Sequence, residues 1–113
     1  MARRFTVLVR SGGKVRKERY DDLRSALGAV NRVVGELADD VSARPVGGGL
    51  IRKLEPVQQV VGRIEVTGPD RLRAGVDVRG DGSSEAFTGR VRRQLVEQRR
   101  RESAVDALRR VLG

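Results

Sequence analysis

The stretch QQVVGRIEVTGPDRLRAGVDVR, residues 58–79, contains two runs of alternating apolar and polar residues separated by a turn. In the first run Val60, Ile64 and Val66 share one face, as expected of a strand with a two-residue period. The Gly-Pro-Asp sequence at 68–70 predicts the turn. The second run places four apolar residues on one face: Leu72, Ala74, Val76 and Val78. The pattern therefore predicts two antiparallel strands joined by a tight connection.

A third strand is expected at 84–87, after a second turn that includes an Arg-Gly-Asp tripeptide at 79–81. An adhesion role for this tripeptide would require export, and the N-terminus has too short an apolar run for a signal peptide. A calcium loop counted from Asp77 would have Thr88 at its twelfth position, where the bidentate Glu is needed. We therefore interpret the tripeptide as part of a hairpin turn, and the three strands as a meander.

Upstream of the meander, the sequence predicts a hairpin and a helix. Residues 5–9 alternate as a strand, and the charged second strand at 15–20 suits a sheet edge. Residues 22–38 form the best-marked element of the chain, because their apolar residues recur at helical spacing and Asp21-Asp22 supplies an N-cap. The apolar stripe consists of Leu23, Ala26, Leu27, Val30, Val34 and Leu37.

Residues 39–56 show no sustained period and are predicted to form a long glycine-containing loop, with a possible short strand at 50–54. The Gly-Gly-Gly sequence at 47–49 is not a phosphate-binding P-loop, because no Ser or Thr follows Lys53. A loop that becomes ordered on a partner is the more plausible interpretation.

The C-terminal segment, residues 89–113, is rich in arginine and helical in composition. On a single continuous helix, Val91 and Leu95 would lie on a different face from the later apolar residues. Ser103 and Asp106 resemble a capping box immediately before those later residues. The sequence therefore predicts two helices, at about 89–101 and 104–112.

Together these elements predict one α+β domain spanning residues 1–113, in the order ββα–βββ–αα. The antiparallel sheet packs against the helix at 22–38 to form two layers, and a basic helical segment follows. The core is expected to consist mainly of Val, Leu, Ile and Ala, because the chain contains 18 valines but only three aromatic residues.

The composition argues against several classes of function. The chain has neither Cys nor His, so it lacks the usual general acid–base residue and the ligands of the common zinc sites. No catalytic constellation is visible, and we predict no enzymatic activity, no metal and no cofactor. We also expect no membrane association, because no apolar run approaches spanning length, and a cytoplasmic location, which suits a cysteine-free chain.

The net charge of +9 and the pI of about 11.4 favour an anionic partner, most often nucleic acid. Arginines surround the predicted basic helix, which favours non-specific contact with the phosphate backbone over base readout. The predicted binding residues are Arg90, Arg92, Arg93, Arg99, Arg100 and Arg101. The outer face of the predicted meander is also basic. Its four arginines are better explained as partners of Glu65 and Asp77 in cross-strand ion pairs than as a nucleic-acid-binding surface: Arg63, Arg71, Arg73 and Arg79.

The alternative is a homo-oligomeric assembly subunit without a nucleic-acid role. Its basis is the displaced apolar stripe near the C-terminus, together with a sheet edge that another chain could join. The predicted oligomer interface consists of Val105, Leu108, Val111 and Leu112.

Overall fold

A computed structural model describes residues 4–43, 59–89 and 92–113 of the chain. These residues form an α+β fold with six strands and two helices, which confirms the predicted fold class. The elements in chain order are β1 (Phe5–Ser11), β2 (Lys14–Tyr20), α1 (Leu23–Ala43), β3 (Val60–Gly68), β4 (Leu72–Arg79), β5 (Ser84–Thr88), β6 (Gln94–Val96) and α2 (Ala104–Leu112).

The six strands form one sheet in the order β2-β1-β3-β4-β5-β6, and every neighbouring pair is antiparallel. The predicted N-terminal hairpin and the β3–β5 meander are therefore both confirmed. The prediction that Val60 shares a face with Ile64 and Val66 is wrong. The register of the β3–β4 pair shifts between Val60 and Gly62. Because a shift of one residue moves a side chain to the other face of a strand, Val60 lies away from the core and is 43% exposed.

The hydrophobic core lies between one face of the sheet, called here the inner face, and the two helices. Ile64 pairs with Val9 on one side and with Val76 on the other, and all three side chains are buried. Leu27 and Val30 of α1 and Leu108 of α2 belong to the same cluster. The core is built from small aliphatic side chains, as the composition predicted.

Helix α1 begins after Asp22, whose carboxylate accepts a hydrogen bond from the Ser25 N–H at 2.7 Å, so the predicted cap is present. The helix continues to Ala43, and the prediction of a loop from residue 39 is therefore wrong for 39–43. Buried Val41 lies one turn beyond Leu37 and extends the apolar stripe. The remainder of the predicted loop, including the glycines and the possible strand at 50–54, lies outside the described residues.

Neither helix in the described ranges is long and apolar enough to cross a membrane. Helix α2 is confirmed, with Ser103 as its N-cap and Asp106 completing the capping box. Its apolar stripe is used within the chain itself, since Val105 and Leu108 are buried in the core. The predicted oligomer interface is therefore wrong for these two residues, which have no surface to offer a partner.

The predicted helix at 89–101 is also wrong where the structure describes it. Residues 94–96 form strand β6, which pairs with β5 through the partners Phe87 and Leu95. Val96 is partly buried and packs against the core from the inner face, whereas Leu95 points to the opposite face. Intrinsic helix propensity is a weak preference, and pairing with the edge of a sheet outweighs it here.

Two glycines test this packing with substitutions of opposite sign. At Gly75 an added Cβ would lie 2.7 Å from Cζ of Phe87 and would also meet the carbonyl oxygen of Ile64. We expect Gly75→Ala to lower the free energy of unfolding by about 2 kcal/mol or more. At Gly28 in α1 an added Cβ would have no atom within 4 Å. We expect Gly28→Ala to raise the free energy of unfolding by about 0.5–1 kcal/mol, because alanine favours the helix more than glycine does. Urea unfolding measures both, and equal effects would contradict the packing.

Candidate nucleic-acid interface

The face of the sheet opposite the helices, called here the outer face, carries cross-strand ion pairs. Arg63 of β3 donates to Asp77 of β4, with its Nε 2.6 Å from Oδ1 and a second hydrogen bond of 3.1 Å. This contact raises the pKa of Arg63. Arg79 donates to Glu85 at 2.7 Å across the β4–β5 pair. The prediction of cross-strand ion pairs on this face is therefore confirmed.

Glu65 lies at the centre of a second group of charges on the outer face. Its carboxylate is 3.3 Å from Nε of Arg73 and 3.6 Å from Nε of Arg10, so two cations flank one nearly buried acid. Arg71 was predicted to belong to this face, but it lies in the turn between β3 and β4 with a φ of 59° and is exposed. The outer face therefore has much of its positive charge balanced locally, which reduces its value as an anion-binding surface.

Phe87 is the aromatic residue of the outer face, and arginines cover it. Its ring lies over Gly75, and the guanidinium carbons of Arg93 and Arg63 are 4.9 and 5.6 Å from the ring centroid. These are cation–π distances. Because Phe87 is only 1% exposed, it offers no open surface on which a base could stack.

Two groups of exposed cations form no ion pair with any other described residue. One group lies on edge strand β2 and consists of Lys14, Arg16, Lys17 and Arg19. Successive residues of a strand point to opposite faces, so these four charges do not converge on one surface. The second group lies at the opposite edge of the sheet, beside β6.

We call this second group the arginine edge. It consists of Arg92, Arg93, Arg99, Arg100 and Arg101, and all five are exposed. These are five of the six predicted nucleic-acid-binding residues, and the sixth, Arg90, lies outside the described residues. The structure presents them on the segments before and after β6 instead of on a helix, so the expected helical presentation is wrong. None of the five forms an ion pair with an acid among the described residues.

Residues 99–102 form a tight turn, called here the arginine turn. The Glu102 N–H donates to the Arg99 carbonyl at 2.9 Å, and the Arg99 N–H donates to the Glu102 carboxylate at 2.7 Å. Arg101 has a φ of 68°, a conformation that non-glycine residues rarely adopt. The two hydrogen bonds hold Arg100 and Arg101 at the corner of the turn.

Glu102 also fastens the arginine turn to helix α2. Its carboxylate accepts hydrogen bonds from Arg110 at 2.9 and 3.1 Å, and Arg110 donates a further bond to the Glu97 carbonyl at 2.9 Å. The bonds from Arg110 and from the Arg99 N–H lower the pKa of Glu102. Sequence reasoning missed this role because Glu102 and Arg110 are eight residues apart, a spacing at which only the tertiary fold brings them together.

The chemistry available at the arginine edge is recognition of anions. A guanidinium donates two parallel hydrogen bonds that match the geometry of phosphate oxygens. A turn that is already ordered also reduces the entropy lost when its side chains bind. Elsewhere in ranges 4–43, 59–89 and 92–113 no three acidic residues cluster in a way that could hold a metal ion.

The lowered pKa of Glu102 predicts how stability responds to acid. Because the folded protein favours the ionised form, this carboxylate stabilises the fold above its ordinary pKa of 4.5. That contribution is lost as the pH falls through the lower, folded-state pKa. We expect Glu102→Gln to destabilise the protein at neutral pH, and the difference from wild type to shrink as the pH falls below 4.5.

Thermal unfolding across this pH range measures the effect. Asp21→Asn serves as a control, because Asp21 is an exposed carboxylate away from the arginine turn. An effect common to both variants would reflect the loss of one negative charge and not the hydrogen bonds of Glu102. A Glu102→Gln variant whose difference from wild type stays constant over the whole range would contradict the assigned role of this carboxylate.

Comparisons of the chain with protein-family models, with curated proteins and with solved structures found no match. The chemistry of the arginine edge is therefore inferred from its own residues. Five exposed arginines lie at this edge, and none of them forms an ion pair with another described residue. Glu102 holds the arginine turn in place.

Proposed function

We propose that this chain is a non-enzymatic binding domain that contacts the phosphate backbone of nucleic acid through the arginine edge. One observation carries the proposal. On the outer face Arg63, Arg73 and Arg79 are paired with acids, whereas none of the five exposed arginines of the edge forms an ion pair with another described residue. Unpaired guanidinium groups in water are the groups that release counterions from nucleic acid when they bind.

The expected mode of binding is independent of base sequence. Sequence-specific readout requires side chains or an element that enters a groove and reaches base edges. The arginine edge instead offers a short strand and a turn, and β6 has only three residues. Base stacking is not expected to contribute much, because the aromatic ring of Phe87 is covered by Arg93 and Arg63.

The cations of β2 are a weaker candidate for the same role. Lys14 and Arg16 follow the inner-face register of β1 residues Ser11 and Val9, whereas Lys17 pairs with Leu8 on the outer face. The group is therefore divided between two sides of the sheet. Removing three of its four cations changes the total charge of the protein as much as removing the three arginines of the arginine turn, so these residues provide a matched control.

The dependence of binding on salt tests the proposal. We expect the triple variant Arg99→Gln/Arg100→Gln/Arg101→Gln to bind a short DNA duplex at least about a hundredfold more weakly at low salt. The slope of log K against log salt should become shallower by about 2 to 3, since each phosphate contact contributes about 0.9. Fluorescence polarisation with a labelled duplex measures both quantities.

The control for this experiment removes three charges from the opposite edge of the sheet, as Lys14→Gln/Arg16→Gln/Arg19→Gln. It should change the slope by less than about 1, because only the general field of the protein is reduced. Equal losses in the two variants would show that total charge, and not the arginine edge, governs binding. A wild-type protein that binds neither duplex nor single-stranded nucleic acid at low salt would overturn the proposal.

Arg101 allows binding and stability to be separated. Its φ of 68° is a conformation that glycine adopts without steric cost. We expect Arg101→Gly to raise the free energy of unfolding by up to about 1 kcal/mol, while weakening nucleic-acid binding. Arg101→Lys keeps the charge and should retain most of the salt dependence. Urea unfolding and polarisation measure the two effects, and unchanged binding by Arg101→Gly would remove Arg101 from the interface.

A further inference from the structure

Strand β6 ends the described sheet on one side, and its central side chain is strongly exposed. Leu95 is 68% exposed on the outer face, the largest exposure among the large hydrophobic side chains of the described residues. On the other side of the strand, Val111 of α2 is 50% exposed and lines a groove together with Leu95 and Val96. An open strand edge beside exposed apolar side chains is a typical site for the addition of another strand.

The sequence around Leu95 is complementary to itself. Residues 93–97 read Arg-Gln-Leu-Val-Glu, with opposite charges two positions on either side of the leucine. If two copies of this segment pair antiparallel about Leu95, each Arg93 lies opposite Glu97 of the other copy. Side chains alternate along a strand, so Arg93, Leu95 and Glu97 would share one face when the pairing extends one residue beyond each end of β6 (Gln94–Val96). Two ion pairs would then flank a contact between the two leucines.

We infer that β6 is the interface of a twofold symmetric dimer, in which two copies of this chain pair their β6 strands antiparallel and extend the sheet from one subunit into the other. A twofold axis requires a surface that complements itself, and the segment at 93–97 meets this requirement. Both charged partners are available, because neither Arg93 nor Glu97 forms an ion pair with another described residue of its own chain.

The contact between Arg93 and Phe87 is compatible with this pairing. The guanidinium carbon of Arg93 lies 4.9 Å from the centroid of the Phe87 ring, within cation–π distance. The N–H groups of a guanidinium lie in its own plane, so contact between its flat face and an aromatic ring leaves them able to donate to a carboxylate. Phe87 therefore holds Arg93 beside the strand edge where Glu97 of the second copy would lie.

The opposite edge of the sheet does not offer the same surface. Two β2 strands paired antiparallel would bring Lys14, Arg16, Lys17 and Arg19 together, with Glu18 as the one acid of the strand. Like charges opposite one another destabilise strand pairing. The excess of cations on β2 therefore opposes self-association at that edge, whereas β6 is neutral and is flanked by opposite charges at Arg93 and Glu97.

Charge reversal provides the test, with nuclease-treated protein and sedimentation velocity at about 100 µM, a concentration suited to a small interface. We expect the wild-type protein to sediment with about twice the 12.4 kDa mass of the chain. Arg93→Glu and Glu97→Arg should each weaken dimerisation roughly tenfold or more, because each places two like-charged pairs across the axis.

Mixing the two single variants should restore the dimer. In the mixed dimer the carboxylate introduced by Arg93→Glu in one copy faces the guanidinium introduced by Glu97→Arg in the other. The second pair across the axis is the native Arg93 with the native Glu97. A defect in folding cannot be corrected by mixing, so recovery of the dimer mass identifies the contact itself. A mixture that stays monomeric, or single variants that remain fully dimeric, would overturn the inference.

A second pair of variants tests the apolar centre of the interface. Leu95→Asp should give a monomer, whereas Val15→Asp should leave the dimer intact, because Val15 is 60% exposed on the opposite edge of the sheet. Thermal unfolding confirms that both variants fold. A wild-type protein that is monomeric after nuclease treatment would overturn the dimer but leave phosphate binding by a monomer untouched, so the two proposals can fail separately.

Discussion

The two helices that the structure describes cover the same face of the sheet, and this is the constraint on which the rest of the described fold depends. Both described helices pack on the inner face, where Val, Ile, Leu and Ala form the core. The outer face must therefore be stabilised by its own side chains, and it uses ion pairs between neighbouring strands. Glu65, Asp77 and Glu85 are committed to arginines there. A chain with 24 basic and 15 acidic residues cannot pair every cation in this way, and the surplus must lie elsewhere.

The location of the surplus is what distinguishes the two edges of the sheet. At β2 the cations that form no ion pair with other described residues alternate between faces along a regular strand, which discourages pairing with another strand. At the arginine edge they lie on the segments that flank a three-residue strand, and Glu102 and Arg110 organise one of those segments into a turn. Net charge alone would not separate these surfaces. The ion pairs, the face on which each cation lies and the local order of the chain do separate them, and they favour the arginine edge as the proposed anion-binding site.

Much of this fold follows from patterns that are local in sequence. The meander, the hairpin at the N-terminus and the capping box at Ser103 were predicted, because a two-residue period, a turn and a cap each depend on neighbours along the chain. The shifted face of Val60 and the strand at 94–96 were not predicted, since both arise from the register of pairing with another strand. Tertiary contacts decided these positions against a plausible local interpretation.

The same distinction applies to the candidate site. Sequence reasoning identified the arginines and the expectation that Arg63 and Arg73 pair across strands, because charge density and alternation are visible in the chain. It assigned Val105 and Leu108 to an interface, although they complete the core, and it found neither the covering of Phe87 by Arg93 nor the link from Glu102 to Arg110. Those contacts join residues from separate elements, and no spacing along the sequence reveals them.

The two roles proposed for the arginine edge are physically compatible. In the proposed dimer, the apolar Leu95 lies at the centre of the interface and Arg93 is matched by Glu97, whereas Arg92 and the arginine turn remain at the rim in contact with water. Such an arrangement resembles known interfaces, which have an apolar centre and a polar rim. Two basic rims on one rigid sheet would bind a single nucleic acid more tightly than either rim alone, because the second contact becomes intramolecular. The dimer would use Arg93, one of the five arginines of the edge, and would leave the other four to phosphate, so self-association and phosphate binding would reinforce each other.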